Sequence, residues 1–383
     1  MAVIWNFPTR IVFGESATDS IGDEARKLGP RRALIVTDPG VLAAGGVEPV
    51  EQALSLAGVD SEVFDGVDSN PTDTQAEAAA SAYEGAGAEM VIAVGGGSAI
   101  DVGKIVRLRA NHPGPLSQYD DAQGGSDRID KPLPPMIAVP TTAGTGSEVG
   151  RSAVLTMAET NRKTVFFAPG LLPDVAILDP KLSISMPTRT TACTGFDALT
   201  HCIEAASTTM DHPMAQAIAL EGVGLCARFL PRAVGDGSDL KARAGMLKAA
   251  CFGAVAFQKG LGACHSLAHP LSAEAGMHHG LANALCLPAV VDFNRATVPN
   301  PLARIAQVMG ARGDETETLA FECSGALRAF RQQLGLPGGL GEAGIEEASL
   351  EKLATLAFED GCHLENPRRC TRDDLLSLYR ASY

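Results

Sequence analysis

The sequence predicts an α/β N-terminal half built on a parallel sheet, followed by an all-helical C-terminal half. Three observations carry this. At 383 residues the chain exceeds the usual single-domain range, so two domains of roughly 150–200 residues each are expected. Short apolar, β-branched runs alternate with helix-forming stretches as far as residue 179. After "LSISMPTRT" the strand-like runs disappear, and Ala/Leu/Glu-rich segments follow one another to the end.

Taken in order, "RALIVT" (32–37) reads as a strand closed by the turn "DPG", and "VEPVEQALSLAG" as a helix. "SEVFDG" is a second strand, "TDTQAEAAASAYEGAG" a helix, "EMVIAV" (89–94) a third strand and "MIAVP" (136–140) a fourth. "SAVLTM", "KTVFFA" and "DVAILD" read as strands that finish the sheet near residue 179. The helical half begins near Met186, with breaks expected at the Gly and Pro positions 231, 235–237, 336–341 and 367.

The formal net charge of −14 repels phosphate backbones and anionic lipid, which argues against nucleic-acid or membrane-surface partners. The start "MAVIWNFPTR" lacks a basic segment followed by an apolar one, and "AACFGAVAF" is far short of the ~20 residues of a membrane helix. A cytoplasmic protein is expected. Nine cysteines without C-x-x-C spacing fit buried, reduced thiols. Cys202 and Cys264 adjoin histidines of interest, but neighbours on a helix point ~100° apart, so they read as core residues.

"VIAVGGGSAIDVGK" (91–104) runs strand, three glycines, Ser98, helix. Glycines let the backbone approach an anion, and a helix N-capped by Ser98 would aim free N–H groups and its positive end at it. Neither the dinucleotide fingerprint nor the P-loop pattern is complete here. "PTTAGTGSEV" (140–149) follows another strand with hydroxyls and small residues. Two such loops could surround a pyrophosphate and its ribose. Asp38, directly after "ALIVT", could accept ribose hydroxyls and repel a 2′-phosphate, favouring NAD over NADP.

The helical half opens on "GFDALTHCIEA" (195–205). Asp197 and His201 are four apart, one face of a helix, suited to chelating one divalent ion. Downstream, "CHSLAHPLSAEAGMHHGLAN" (264–283) holds four of the eight histidines. His265 and His269 are also four apart, on a helix that Pro270 would end or kink; His278 and His279 precede a further helix. One of the first pair and one of the second would complete a four-ligand set, and spacing does not choose among them.

Together "GGGSAIDVGK", "PTTAGTGSE", "GFDALTHCIEA" and "GACHSLAHPL…HHGLANA" resemble the iron-containing (group III) alcohol dehydrogenase family, in order and over nearly the whole chain. The resemblance implies an α/β dinucleotide-binding domain with a Rossmann-like parallel sheet over residues 1–184. Residues 185–383 would form an all-α metal-binding, catalytic domain. It implies Asp197, His201, His265 and His279 as metal ligands and His269 as a proton relay near the nicotinamide, with His278 at no ligand position. It further implies that Gly95, Gly96, Gly97 and Ser98 bind the pyrophosphate, and that Asp38, Asn70, Thr141, Thr142 and Lys163 contact the cofactor. The activity implied is hydride transfer between NAD, rather than NADP, and a small primary alcohol or aldehyde, a hydroxy acid or semialdehyde included. The ion implied is Fe²⁺, with Zn²⁺ fitting the same ligands and favoured by intrinsic affinity. A homodimer or larger homo-oligomer is the expected assembly.

Members of the family often carry bulkier residues where this chain has "SAEAGM" (272–277), so the substrate side differs. Rival readings are a dehydroquinate-synthase-like lyase, a maleylacetate-reductase-like keto-acid reductase and a non-catalytic nucleotide-binding module. The lyase needs several cations near the ligands, and only Lys259 is close in sequence. The reductase would have lost a ligand, which this chain has not. Lys259 would nonetheless favour an acidic substrate.

Overall fold

Six short strands form one all-parallel sheet: β1 (Arg10–Phe13), β2 (Arg32–Val36), β3 (Asp60–Phe64), β4 (Met90–Gly95), β5 (Met136–Pro140) and β8 (Val175–Leu178). The computed structural model describes residues 7, 9–160 and 162–383. These fall into two units, one of Phe7–Thr142 with Gly146–Met186, the other including Ala143–Thr145 and Pro187–Tyr383.

In the first unit the strand order is β1-β8-β5-β4-β2-β3. Helices α1 (Ile21–Leu28), α2 (Pro39–Ala43), α3 (Glu48–Leu56), α4 (Asp73–Gly85) and α5 (Gly97–Asn111) lie between the strands in sequence. Alternate residues of a strand face opposite sides, which explains why β4 and β5 are apolar throughout. Val91, Ala93, Met136 and Ala138 pack with α4 and α5 residues such as Tyr83, Ile100 and Ile105. Ile92, Val94, Ile137 and Val139 pack on the other side with Ile21, Val50 and Leu54 from α1 and α3. Each such fully buried aliphatic side chain contributes about 1.5–3 kcal/mol. The chain leaves β2 toward β3 on one side and leaves β4 toward β5 on the other. The carboxyl ends of β2 and β4 therefore flank the topological switch point, where open α/β sheets bind ligands.

Two expectations change here. "SAVLTM" and "KTVFFA" do not extend the parallel sheet; as β6 (Ser152–Met157) and β7 (Arg162–Phe167) they pair antiparallel in a separate ribbon. Only a few residues separate them, enough for a hairpin and far too few for a parallel crossover. The sheet gains β1 instead, a four-residue edge strand beside β8 too short to stand out in the sequence.

Among the described residues, the regular elements of the second unit are helices: α6 (Thr188–Ser207), α7 (Pro213–Gly235), α8 (Leu240–Ala256), α9 (Ala263–Ala275), α10 (His279–Asn294), α11 (Pro299–Val308), α12 (Thr316–Gln333), α13 (Leu350–Glu359) and α14 (Arg372–Ala381). From Thr191 to Ser207, α6 is buried at every position except Thr194, and it packs against α7, α8 and α10. Pro231 and Pro270 do not break their helices, which run on to Gly235 and Ala275. A proline removes one backbone hydrogen bond, and packing of buried neighbours on both sides outweighs that loss. The nine cysteines are free thiols, eight of them buried. No helix among the described residues is long and apolar enough to cross a membrane.

Candidate active site

On α6, Asp197, His201 and Glu204 occupy positions i, i+4 and i+7, one face of the helix, and all three are buried. Helix α9 brings His265 and His269 to that face, and α10 brings His279 and Asn283. Gly280 makes the approach of α10 possible, because a Cβ there would overlap the Cys193 carbonyl oxygen of α6.

The side chains converge on one oxygen. Asp197 Oδ1 lies 4.0 Å from His201 Nε2, 3.9 Å from His265 Nε2 and 3.5 Å from His279 Nε2. The donor atoms of Asp197, His265 and His279 all lie within 4.8 Å of one another. The His201 and His265 rings are stacked, with centroids 4.7 Å apart.

Hydrogen bonding fixes what these atoms can do. His265 Nδ1 donates to Glu204 Oε2 at 2.5 Å, which leaves Nε2 as a lone pair directed toward Asp197. Burial pushes the His201 pKa down to about 4, so its ring is neutral at neutral pH. For His265 burial works the same way, but the Glu204 and Asp197 carboxylates outweigh it and raise the pKa. The Glu204 and Asp197 carboxylates therefore favour positive charge at His265. One amide group partly answers that demand: Asn283 Nδ2 donates to Asp197 Oδ1 at 2.7 Å and lies 3.2 Å from His279 Nε2 and 3.5 Å from His265 Nε2. The two amide hydrogens cannot reach all three atoms at good hydrogen-bond distances. Donors ~2.1 Å from a shared ion stand ~3.4 Å apart in a tetrahedron, close to the separations seen here. The residues present fit a divalent cation.

The other histidines behave differently. His269 lies one turn beyond His265, partly exposed; its ring stacks on His279 at 5.4 Å, and Nδ1 bonds to Asp360 Oδ2 at 2.7 Å. His278 is exposed and N-caps α10, its Nδ1 accepting the Gly280 N–H at 3.2 Å. Lys259 is turned to the end of α6. Its buried ammonium donates to the carbonyls of Ala205 and Thr208 at the end of α6, where the helix dipole favours a cation. Burial lowers its pKa to about 8.

In the first unit, Asp38, Gly95–Gly97, Thr141 and Thr142 come together at the carboxyl ends of β2, β4 and β5. Asp38 N-caps α2 through Oδ1, accepting the Val41 N–H at 2.9 Å, while Oδ2 faces Gly95. Gly95 has φ +157°, and a Cβ there would lie 2.7 Å from Ala99 Cβ. Thr141 N–H donates to Gly95 O at 3.0 Å, and Thr142 lies against Gly96. The expected cap is displaced: Gly96, not Ser98, caps α5, because the extended Gly96 lets the helix begin at Gly97. Ser98 then lies in the first turn and its Oγ donates to Ser69 O at 2.9 Å, tying down the loop that carries Asn70. Lys163 lies on β7, opposite Thr156 of β6, and its charge acts on Asp101 of α5.

Sequence reasoning missed Glu204, Asn283 and Asp360. Glu204 and Asn283 carry a helical signal, three residues after His201 and four after His279. Asp360 carries none, being 91 residues from its partner.

Two sequence profiles of known families cover the chain: "Iron-containing alcohol dehydrogenase" over residues 8–180 and "Fe-containing alcohol dehydrogenase family, C-terminal" over residues 191–383. The chain belongs to the iron-containing alcohol dehydrogenase family. It is 39% identical over 392 aligned positions to a 4-hydroxybutyrate dehydrogenase of Cupriavidus necator, with all of both chains covered. It is 38% identical to a 1,3-propanediol dehydrogenase of Klebsiella pneumoniae, over 97% of this chain and 96% of the other. Among solved structures, a 1,3-propanediol oxidoreductase superposes over 100% of both chains with a TM-score of 0.96 at 36% identity. This family member is a metal-dependent oxidoreductase acting on the CH–OH group.

Proposed function

We propose that this iron-containing alcohol dehydrogenase interconverts a short primary alcohol and its aldehyde with NAD. Asp197, His201, His265 and His279 hold its divalent ion, Fe²⁺ or Zn²⁺. The observation that supports this is the convergence of three imidazole Nε2 atoms within 3.5–4.0 Å of Asp197 Oδ1. When bound, the ion supplies Lewis acidity toward a substrate oxygen, and the nicotinamide supplies the hydride acceptor or donor.

The chain's own residues do the rest. Asp197 brings the one negative charge of the ligand set, and Glu204 holds the His265 ring with its lone pair facing inward. His269, partly exposed, takes the hydroxyl proton of the alcohol during oxidation and passes it to water. Gly97 and Ser98 offer first-turn N–H groups of α5 to the pyrophosphate, and Gly95 and Gly96 form the turn that leads into it. Asp38 Oδ2 suits a ribose hydroxyl and repels a 2′-phosphate, hence NAD. Thr141, Thr142, Asn70 and Lys163 complete the cofactor contacts. One relative is named an NAD-dependent methanol dehydrogenase, and one solved neighbour is a sulfoacetaldehyde reductase in complex with NAD+.

Relatives named for 1,3-propanediol and 4-hydroxybutyrate support a short primary alcohol with a second polar group at its far end. Because Lys259 is occupied at the end of α6, an uncharged group suits this chain better than a carboxylate. The enzyme works in the cytoplasm as a homodimer or larger homo-oligomer, consistent with its acidic surface and the prevalence of twofold assemblies.

The test is a panel of alcohols and aldehydes assayed with NAD(H) and NADP(H) after loading with Fe²⁺ or Zn²⁺. His265→Ala should lose both bound metal and turnover. Survival of both would overturn the ligand assignment.

A further inference from the structure

We propose that Asp360 is the positioning residue for His269: its carboxylate fixes the ring as the Nδ1–H tautomer, so that Nε2 is the atom that receives the substrate proton. This rests on His269 being the relay, as proposed above, and goes beyond it by naming what sets the relay's geometry.

Asp360 follows α13 directly and is itself clamped. Its Oδ1 accepts the Ser266 hydroxyl at 2.6 Å and the Cys362 N–H at 2.9 Å, and the Ser266 oxygen in turn accepts the His363 N–H at 2.8 Å. Oδ2 is thereby aimed at His269 Nδ1, 2.7 Å away. Three hydrogen bonds, from Ser266, the Cys362 amide and His269, converge on the Asp360 oxygens and favour the ionised carboxylate. An ionised carboxylate only accepts hydrogen bonds, so the nitrogen facing it must carry the hydrogen. The lone pair then belongs to Nε2. During alcohol oxidation the hydroxyl proton passes to Nε2, the ring becomes a cation beside Asp360, and Nε2 returns that proton to water. The hydride leaves separately to the nicotinamide, so charge and electrons balance.

A purely structural Asp360, tying α13 to α9, would give the same hydrogen bonds but a different response to substitution. In the metal-loaded enzyme, Asp360→Asn should lower kcat about 10²–10⁴-fold, the range expected for proton transfer, with KM and bound metal within about threefold of the parent. Asp360→Glu, which keeps an acceptor, should recover part of that loss. Added imidazole should restore turnover to His269→Ala, where a space is left, and not to Asp360→Asn, where a wrongly protonated ring fills it. A readout independent of turnover is ¹⁵N NMR of the histidine-labelled, Zn²⁺-loaded parent, with His269 assigned by its absence in His269→Gln. The Nδ1–H tautomer is expected, and an Nε2–H tautomer would overturn the proposal even if Asp360→Asn did not fold. An Asp360→Asn enzyme with parental kcat beside a crippled His269→Ala would sink the positioning role alone. A fully active His269→Ala would sink the relay itself. His269, Asp360 and Cys362 are also close enough to share an ion. A second equivalent of metal per chain that disappears in Asp360→Asn would therefore overturn the tautomer assignment.

Discussion

Asp197 Oδ1 is the atom on which three imidazoles converge, and one of those rings, His265, is oriented by the residue behind it. Glu204 accepts both the His265 Nδ1–H and the Cys264 N–H, the latter at 2.8 Å, so it aims the ring and pins the start of α9. Glu204→Gln keeps the size but removes the charge. Metal affinity should fall about 10–100-fold, the usual cost of losing a partner behind a ligand, as read by competition with a chromophoric chelator. An unchanged affinity with unchanged circular dichroism would show that the carboxylate does not orient the ring. At this scale much was readable in the sequence, because Asp197 and His201 lie on one face by spacing alone, as does Glu204. The selection of His265 and His279 was not derivable from spacing. It depended on how α9 and α10 meet α6, with His278 turned outward to cap a helix and His269 drawn to Asp360.

Helix α10 reaches α6 only because residue 280 has no side chain. Gly280→Ala would push the two helices apart at the Cys193 carbonyl, one residue from His279. Overpacking of this kind costs about 1–3 kcal/mol. The thermal midpoint should drop and bound metal should fall together. A variant that loses stability yet keeps full metal occupancy would mean that the His279 ring tolerates the shift. The same reasoning explains which elements the sequence predicted well. Strands β4 and β5, buried on both faces, are apolar throughout and stand out as runs. The pairing of β6 with β7 does not stand out, since local composition gives a strand its propensity but not its partner. Nor does the continuation of α7 and α9 through proline, which depends on neighbours distant in sequence.

Across the whole molecule, the four proposed ligands Asp197, His201, His265 and His279 all lie in the helical unit, so if they hold the ion its removal should destabilise that unit selectively. A ligand at 1,000 times its Kd contributes about 4 kcal/mol to the folded state. Dialysis against a chelator should therefore lower the helical unit's calorimetric transition by several degrees. Added Fe²⁺ or Zn²⁺ should restore it, and Asp197→Asn should respond to neither. A parent enzyme whose transitions ignore the chelator would refute the ion as a structural element. The sequence by itself determined the α/β-then-α order, the glycine turn at the end of β4 and the acid–histidine pair on α6, because each is written in residues no more than a helical turn or a strand apart. Only the tertiary structure decided the strand order, the close approach of α10 to α6 and the union of Asp360 with His269. Those choices rest on packing between segments from tens to more than 150 residues apart, where no local pattern constrains which side chain meets which.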